Sequence, residues 1–257
     1  GTLKAPPSKS MMQRSVACAL LSEGITRIQN PSLCEDSLAA IEIAEQLGAV
    51  VKMQENAVVI NSGGIESLRN KNGEIELDCG ESGLCLRMFA PIAAVTGGQV
   101  TLTGKGSLMK RPVDFVCRAI EAFGGECTTN AGYPPIKITR QMTGGSAEID
   151  GSISSQHLTG LLLALSNLKN ESTIRVKNLS SRPYIDMTLD ILQQFGIDNN
   201  NKNYSEFIIP GSQKFTPCSY TVEGDWSGAA FLLAAGAIAG KIEVIGLDPN
   251  SHQPDKN

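Results

Sequence analysis

Two kinds of helical pattern recur along this chain. In stretches such as 89–95 and 158–165 apolar residues occupy every face, which is typical of a helix buried on all sides. In the second kind, apolar residues recur at helical spacing with polar residues between them, which predicts a helix with one exposed face. Three such stripes are present: Leu38, Ile41, Ala44 and Leu47; Val113, Val116, Ile120 and Phe123; and Ile185, Thr188, Leu192 and Phe195. Each striped helix is expected to end at a glycine, at Gly48, Gly124 and Gly196.

The two helix types alternate within a repeated unit. Each unit has a polar start, an all-apolar helix, a Gly or Asn turn and a short strand; the turns at positions 24, 98, 170 and 240 are spaced by 74, 72 and 70 residues. Such self-similarity indicates a repeat architecture. Strand patterns lie at 25–29, 50–53, 57–60, 74–77, 100–103, 127–129, 136–139, 147–149, 173–177, 207–209, 220–222 and 241–245. The strands at 74–77, 147–149 and 220–222 are each expected to open the next unit.

The repeat predicts the fold. We expect an α/β (α+β) chain of three βαβαββ repeats, with the all-apolar helices packed in the centre and the sheets outside, followed by part of a fourth repeat. Central packing brings the polar starts of these helices toward one end of the molecule. The fourth unit stops after its first helix and strand. We therefore expect the chain to be the front portion of a longer protein.

Composition and charge narrow the partners. The net charge is −4 and the pI about 5.3, so no overall positive field favours a nucleic acid or a membrane surface. No run of 18 apolar residues is present. Seven cysteines without CxxC spacing and only two histidines argue against a zinc site or a disulfide framework. We expect the cysteines to be small buried side chains in a reducing cytoplasm, and no metal or cofactor.

The polar start of the first helix is suited to an anion. In Pro6-Pro7-Ser8-Lys9-Ser10-Met11-Met12-Gln13-Arg14, the prolines favour extended backbone and Ser8 can cap the helix. A helix start offers free N–H groups and the positive end of the dipole. Lys9, Ser10 and Arg14 add an ammonium group, a hydroxyl and a guanidinium fork. Taken alone, this is a capped helix with solvated charges.

The later units repeat the arrangement. Gly83 lies in a glycine-bearing turn with Arg87 one turn on, and Arg111 precedes a proline. In the third unit the helix start is Ser154-Ser155-Gln156, and Ser181-Arg-Pro-Tyr184 repeats the loop position of Arg111. Each motif alone is more often a cap or a turn. Because they recur at equivalent places, we expect one shared anion site.

These motifs carry a resemblance to a known family. The chain resembles the 5-enolpyruvylshikimate-3-phosphate (EPSP) synthases, the 3-phosphoshikimate 1-carboxyvinyltransferases of aromatic amino-acid biosynthesis. The matching stretches are Ser8-Lys-Ser10 with Arg14, Leu102-Thr-Gly104 with Arg111-Pro112, Gly151-Ser-x-Ser-Ser-Gln156, Pro183-Tyr-Ile-Asp186 and Val222-Glu-Gly-Asp225. The family fold is two domains of three βαβαββ units each. The resemblance implies a first domain at 1–218, with 219–257 as the crossover and the start of a second domain.

The resemblance also implies a reaction. The enolpyruvyl group of phosphoenolpyruvate passes to the 5-hydroxyl of shikimate 3-phosphate, and phosphate leaves. Lys9 would contact both substrates, while Gly83 and Arg111 would line the phosphoenolpyruvate site. No convincing catalytic base is present, because the proton-transfer groups of the family lie in its second domain. The chain alone is therefore expected to be inactive.

Seven further positions would hold shikimate 3-phosphate. Its 3-phosphate would meet the hydroxyls of Ser154, Ser155 and Ser181. Its ring would lie against a second set of side chains: Ser10, Arg14, Gln156 and Tyr184. Two residues depart from the family pattern in the second unit, where Leu84 and Met88 replace threonine and proline. Pro7 replaces a usual glycine and is expected to stiffen the crossover.

Two alternatives remain. The UDP-N-acetylglucosamine enolpyruvyl transferases share the fold, but they carry a reactive cysteine about five residues before the equivalent of Arg111, where this chain has Gly106-Ser107. A repeat module that binds anions without catalysis is the other. The preferred interpretation is an enzyme with two small-molecule substrates, without nucleic-acid or membrane partners, monomeric at full length and cytoplasmic.

Overall fold

The computed structural model describes residues 1–69 and 73–256. Its helices are α1 (Lys9–Leu21), α2 (Glu35–Gln46), α3 (Gly64–Arg69), α4 (Gly83–Ala93), α5 (Asp114–Ala122), α6 (Gln156–Leu165), α7 (Arg182–Gln194) and α8 (Trp226–Ala239). Its strands are β1 (Thr2–Lys4), β2 (Glu23–Gln29), β3 (Val50–Gln54), β4 (Ala57–Gly63), β5 (Glu74–Asp78), β6 (Gln99–Thr103), β7 (Glu126–Asn130), β8 (Tyr133–Arg140), β9 (Ser146–Asp150), β10 (Ser172–Lys177), β11 (Asn200–Lys202), β12 (Glu206–Ile209), β13 (Ser219–Thr221) and β14 (Glu243–Ile245). The sequence patterns did not predict α3 or β11.

The all-apolar helices lie in the centre, as predicted. In α1 the residues from 11 to 21 are all buried, and in α4 every residue except Arg87 is buried. In α6 the residues from 157 to 165 are buried. Burial of an apolar helix on every face removes the most surface from water, so these helices form the core around which the sheets pack.

Three four-stranded sheets cover this core. Their strand orders are β13-β2-β4-β3, β5-β6-β8-β7 and β9-β10-β12-β11. Each combines one parallel pair with antiparallel neighbours, the expected product of a βαβαββ unit. Among the described residues the sheets stay open, so the helices sit inside three separate sheets and not inside a closed barrel of strands.

One strand differs from the prediction. β13 was expected to open the fourth unit, but it pairs in parallel with β2 and completes the sheet of the first unit. The opening place in the fourth unit is taken by β1, which pairs in parallel with β14. The chain therefore crosses twice between the three-repeat body and the fourth unit, at residues 5–8 and near Gly224, where Pro7 bridges Gly224.

The striped helices pack one face on the core. The predicted stripes of α5 and α7 are buried, and each striped helix is followed by its predicted glycine with φ of +103°, +84° or +75°. In α2 the prediction is wrong for Leu38, which is 37% exposed, because Ser37, Ala40 and Ile41 form the buried side there. A stripe of apolar residues therefore located each helix but not every residue of its buried face.

α8 is apolar on every face yet largely exposed. Only Ala229 of this helix is buried, while Phe231 is 78% and Ile238 87% exposed. Its packing partners among the described residues include β14 and a short 3-10 turn at Pro254–Lys256.

Along the described chain, no helix is both long enough and apolar enough to cross a bilayer.

The cysteines are corrected in part. Cys18, Cys79 and Cys85 are buried thiols, as expected. Cys117 and Cys127 form a disulfide that links α5 to β7, so the expectation that every cysteine is a free thiol is wrong for this pair. Cys34 is also exposed and Cys218 only half-buried, since both lie in loops at the edge of the core.

Candidate functional site

The starts of the central helices meet at one cleft of about 400 Å³. Helix ends of this kind present free N–H groups and partial positive charge toward the same space. All ten residues proposed from the sequence line this cleft: Lys9, Ser10, Arg14, Gly83, Arg111, Ser154, Ser155, Gln156, Ser181 and Tyr184. The structure therefore brings the predicted residues together, and their roles in binding stay predictions.

The start of α1 is held by two carboxylates from distant parts of the chain. Lys9 Nζ lies 2.9 Å from Asp36 Oδ2, and the Lys9 backbone N–H donates to Asp225 Oδ2 at 3.2 Å. Burial alone would lower the pKa of the Lys9 ammonium, but the hydrogen bond and charge of Asp36 outweigh it and raise the pKa. Ser8 is the N-cap residue as predicted, but its side chain makes no capping bond. The prediction that the Ser8 side chain caps the helix is therefore wrong, and Asp225 instead accepts the first N–H of the helix, that of Lys9.

Arg14 is a buried cation at the floor of the cleft. It is 1% exposed, its Nε donates to Thr188 Oγ1 at 2.9 Å, and its Nη1 donates to the Ser10 carbonyl at 2.8 Å. Burial lowers the pKa of Arg14 to about 10, so the guanidinium remains charged at neutral pH. Among the described residues it forms no ion pair. A buried charge without a counter-ion is costly, so this position favours an anionic or strongly polar ligand.

Gly83 leaves room for two further guanidinium groups. A Cβ atom at this position would lie 3.1 Å from Arg111 Nη1 and 3.3 Å from Arg87 Nη1. Burial, followed by the charge of Arg111, lowers the pKa of Arg87. Within the described chain neither arginine forms an ion pair, although hydrogen bonds from Ser107, and to a smaller extent the charge of Arg111, lower the pKa of the Glu81 carboxyl. The start of α4 therefore carries two cations without a contacting carboxylate. An anion placed against the Gly83 backbone would relieve their repulsion.

Arg87 is oriented by Gln156, which the sequence assigned to the site, and by Phe115, which it did not. Its Nη1 donates to Gln156 Oε1 at 2.9 Å, and its Cζ lies 5.5 Å from the centre of the Phe115 ring. On its other side Phe115 meets the edge of the buried His157 ring at a centroid distance of 5.0 Å. Burial, and then the charge of Arg87, lowers the pKa of His157 to about 4, so this imidazole is neutral at physiological pH.

Another part of the cleft is a serine wall, formed by Ser154, Ser155, Ser180 and Ser181 at the starts of α6 and α7. Ser154 Oγ accepts a hydrogen bond from the Gln156 backbone N–H at 3.1 Å, and Ser180 Oγ donates to the Gly151 carbonyl at 3.0 Å. In the described chain the hydroxyls of Ser155 and Ser181 have no hydrogen-bond partner and face the cleft. Neutral hydroxyl donors at a helix start suit the oxygen atoms of a phosphate.

Several lining residues were missed by the sequence analysis. They are Gln13, Asp36, Ile153, Ser180, Asp225 and Ser227, with Leu84 noted there only as a departure from the family pattern. Gln13 lies one helical turn after Lys9, so helical spacing could have identified it. Asp36 and Asp225 lie at the starts of other helices, and nothing local indicates that they meet Lys9. The described residues contain no group of three or more metal-ligating side chains.

Comparison with known proteins identifies the relatives of this chain. The sequence model of the EPSP synthase (3-phosphoshikimate 1-carboxyvinyltransferase) family matches residues 1–257. The chain is 39% identical over 257 residues to the 3-phosphoshikimate 1-carboxyvinyltransferase of Clostridium perfringens, covering all of this chain and 60% of the relative. The corresponding protein of Clostridium beijerinckii is 37% identical over 262 residues, again with 60% of its length covered. The chain thus spans about 60% of these curated relatives.

Solved structures share the fold. A structure of EPSP synthase from Acinetobacter baumannii superposes with a TM-score of 0.81 at 25% identity, covering 95% of this chain and 54% of the other. A second structure of EPSP synthase from that organism has a TM-score of 0.83 at 24% identity, covering 97% and 57%. The agreement extends over nearly the whole of this chain and about half of each neighbour.

Proposed function

This chain belongs to the EPSP synthase family, and we propose that the protein containing it transfers the enolpyruvyl group of phosphoenolpyruvate to the 5-hydroxyl of shikimate 3-phosphate, with release of phosphate. One observation carries the proposal. Within the described chain Arg14 and Arg111 form no ion pair with a carboxylate, and both line a cleft that also presents the free hydroxyls of Ser155 and Ser181. A third guanidinium group, that of Arg87, lies beside Gly83 at the same cleft. Such a cleft suits two anionic substrates at once.

The serine wall is the proposed shikimate 3-phosphate subsite. Ser154, Ser155 and Ser181 would donate to the 3-phosphate, while Arg14 and Ser10 would hold the ring hydroxyls. Arg87 donates a hydrogen bond to the Gln156 amide oxygen, which fixes the orientation of the amide. The NH₂ group of Gln156 would then donate to the ligand. Tyr184 closes this side of the cleft.

The start of α4 is the proposed phosphoenolpyruvate subsite. Gly83 allows an anion to approach the backbone N–H groups, and Arg87 and Arg111 supply positive charge there. Lys9 lies between the two subsites and would contact both substrates. Cations around the phosphate that leaves would stabilise the developing charge of the tetrahedral intermediate. In this chain no side chain is assigned as the general acid or base, which the reaction also needs.

The reaction is tested with the full-length protein. Purified enzyme is incubated with phosphoenolpyruvate and shikimate 3-phosphate, and both phosphate and the enolpyruvyl product are measured. Formation of both in equal amounts supports the proposal. Turnover only with UDP-N-acetylglucosamine as acceptor would support the related enolpyruvyl transferases. Binding of phosphate without turnover of either acceptor would support a non-catalytic module. Arg14→Gln in the active enzyme is expected to abolish most of the affinity for shikimate 3-phosphate.

Three further expectations accompany the proposal. We place the three-repeat domain at 1–218 and the crossover with the start of a second domain at 219–257. We also propose that the full-length protein is cytoplasmic and monomeric. Limited proteolysis tests the boundary, cell fractionation tests the location, and sedimentation equilibrium tests the monomer.

A further inference from the structure

Gln13 is a polar side chain buried between two central helices. It lies on α1 one turn after Lys9, and its exposed fraction is 0%. Its Oε1 accepts two hydrogen bonds from the start of α4, one from Ser82 Oγ at 3.0 Å and one from Cys85 Sγ at 3.2 Å. A buried amide with this geometry joins the two helices at the point where both reach the cleft.

The direction of these hydrogen bonds is determined by their chemistry. Ser82 caps α4 by accepting the Cys85 backbone N–H at 3.2 Å, so its single hydroxyl proton is free to be donated to Gln13. Burial raises the pKa of the Cys85 thiol to about 12, so the thiol keeps its proton and is also a donor. Both donors therefore require an acceptor, and the Gln13 amide oxygen must face α4.

We propose that Gln13 is a positioning residue for the phosphoenolpyruvate subsite, fixing the start of α4 against α1 through Ser82. The inference rests on the proposed function. Its basis is that the two elements joined by Gln13 carry the two halves of that subsite, Lys9 on α1 and Gly83 directly after Ser82 on α4. Within the described chain Gln13 makes no hydrogen bond to the serine wall at the starts of α6 and α7. Loss of Gln13 should therefore impair one substrate and not the other.

The amide nitrogen is consistent with this role. Gln13 Nε2 lies 3.5 Å from the Lys9 carbonyl, at the limit of a hydrogen bond, and the residue lines the cleft. The strong bonds of the side chain are thus those to α4. Leucine has a similar size but offers no acceptor, so Gln13→Leu would leave the buried Ser82 hydroxyl without its acceptor. The Cys85 thiol would keep only its longer contact with the Asp36 carbonyl, at 3.4 Å.

The experiment compares Michaelis constants for the two substrates in the full-length enzyme. In Gln13→Leu we expect the KM for phosphoenolpyruvate to rise about tenfold, since the buried Ser82 hydroxyl at the start of α4 loses its acceptor. The KM for shikimate 3-phosphate should stay within about twofold, because Gln13 does not bond to the serine wall. A twofold change corresponds to less free energy than one hydrogen bond contributes. Ser82→Ala removes the same link from the other side and should show the same selectivity. Ser15→Ala is the matched control, because Ser15 is also buried on α1 but bonds only to the Met12 carbonyl, and it should change neither constant.

The double variant separates positioning from a general loss of structure. If Gln13 acts through Ser82, then Gln13→Leu combined with Ser82→Ala should raise the phosphoenolpyruvate KM no more than the more severe single change. Additive effects, or equal losses for both substrates, would overturn the inference. Should Gln13→Leu fail to fold, Ser82→Ala alone decides through its selectivity. Absence of enolpyruvyl transfer in the unmodified enzyme would instead reject the proposed function.

Discussion

The Lys9 ammonium lies 2.9 Å from the Asp36 carboxylate, which joins the start of α1 to the first turn of α2 at the mouth of the cleft. Both side chains are partly exposed, at 50% and 26%. Exposed ion pairs contribute little to stability. The consequence of this pair is therefore its effect on the protonation of Lys9, whose pKa it raises against the opposing effect of burial.

Asp36→Asn should lower the pKa of Lys9, because burial then acts without the opposing carboxylate. A substrate that needs the charged ammonium should bind less well at alkaline pH, and the loss should begin at lower pH in the variant. The measurement is the KM for phosphoenolpyruvate between pH 7 and 10 in the full-length enzyme. Glu35→Gln, one residue earlier and without contact to Lys9, is the control. Identical alkaline limbs in Asp36→Asn and the unmodified enzyme would contradict the prediction.

Removal of two hydroxyls from the serine wall should weaken the binding of shikimate 3-phosphate. Hydrogen bonds to charged groups contribute about 1.5–3 kcal/mol each. Ser154→Ala with Ser155→Ala should therefore reduce the affinity by about tenfold or more. Isothermal calorimetry of the full-length protein measures the effect. Ser180→Ala is a useful comparison, because the Ser180 hydroxyl already donates to the Gly151 carbonyl. This variant should therefore lose less affinity than the double variant. Unchanged affinity in the double variant would reject the subsite.

His157 should make the fold sensitive to acid. Its pKa is near 4 in the folded chain and 6.5 when unperturbed, so between these values the unfolded state binds more protons. The stability contributed by the neutral imidazole is present above pH 6.5 and is lost as the pH falls toward 4, by roughly 3 kcal/mol. His157→Phe keeps an aromatic ring beside Phe115 and should remove this part of the dependence. Urea unfolding of both full-length proteins from pH 7 to 4 measures the difference, and parallel curves would refute it.

Leu84 should reduce inhibition by glyphosate, the family inhibitor that competes with phosphoenolpyruvate. The leucine side chain is 8% exposed and lines the cleft beside Gly83, where relatives with threonine have a smaller side chain and a hydroxyl. A larger residue here should tighten the space around Gly83 and exclude the longer inhibitor more than the substrate. Leu84→Thr is expected to lower the ratio of the glyphosate inhibition constant to the phosphoenolpyruvate KM. A ratio that stays the same or rises would count against it.

The chain of 257 residues should not turn over by itself. The cleft holds cations and hydroxyls but no assigned proton-transfer group, which the reaction needs, and the chain spans about 60% of its curated relatives. Phosphate release from both substrates by the purified chain is expected to equal that of a blank. Release that rises with chain concentration would show the prediction to be wrong.

The repeat and the cleft could be predicted because both depend on local signals. The helix starts are marked by Ser, Gly, Lys and Arg at equivalent places, and all-apolar helices must pack together. This was enough to bring residues as distant as Lys9 and Ser154 to one cleft. Because each unit marks its own helix start, an error in predicting one helix start does not change the prediction for the other units.

The misses depend on partners far along the chain. Ser8 was a reasonable cap by its own sequence, but its side chain makes no capping bond, and Asp225 accepts the Lys9 N–H from the crossover. Gln13 is one polar residue in an apolar helix, and only the packing of α4 shows what its oxygen accepts. Likewise, the sequence around Tyr220 predicts a strand but not its neighbour. Local patterns indicate elements, whereas pairing is decided by the whole chain.

The place of β13 affects how the chain folds during synthesis. β13 completes the sheet begun by β2, and 190 residues separate Gln29 from Ser219, whose side chains are hydrogen bonded at 2.9 Å. Because the ribosome makes β2 first, this edge of the sheet stays unpaired until the second and third units have been translated. Contacts between such distant residues also form slowly. Of the three full repeats, the one that is translated first is therefore the last to have its sheet completed.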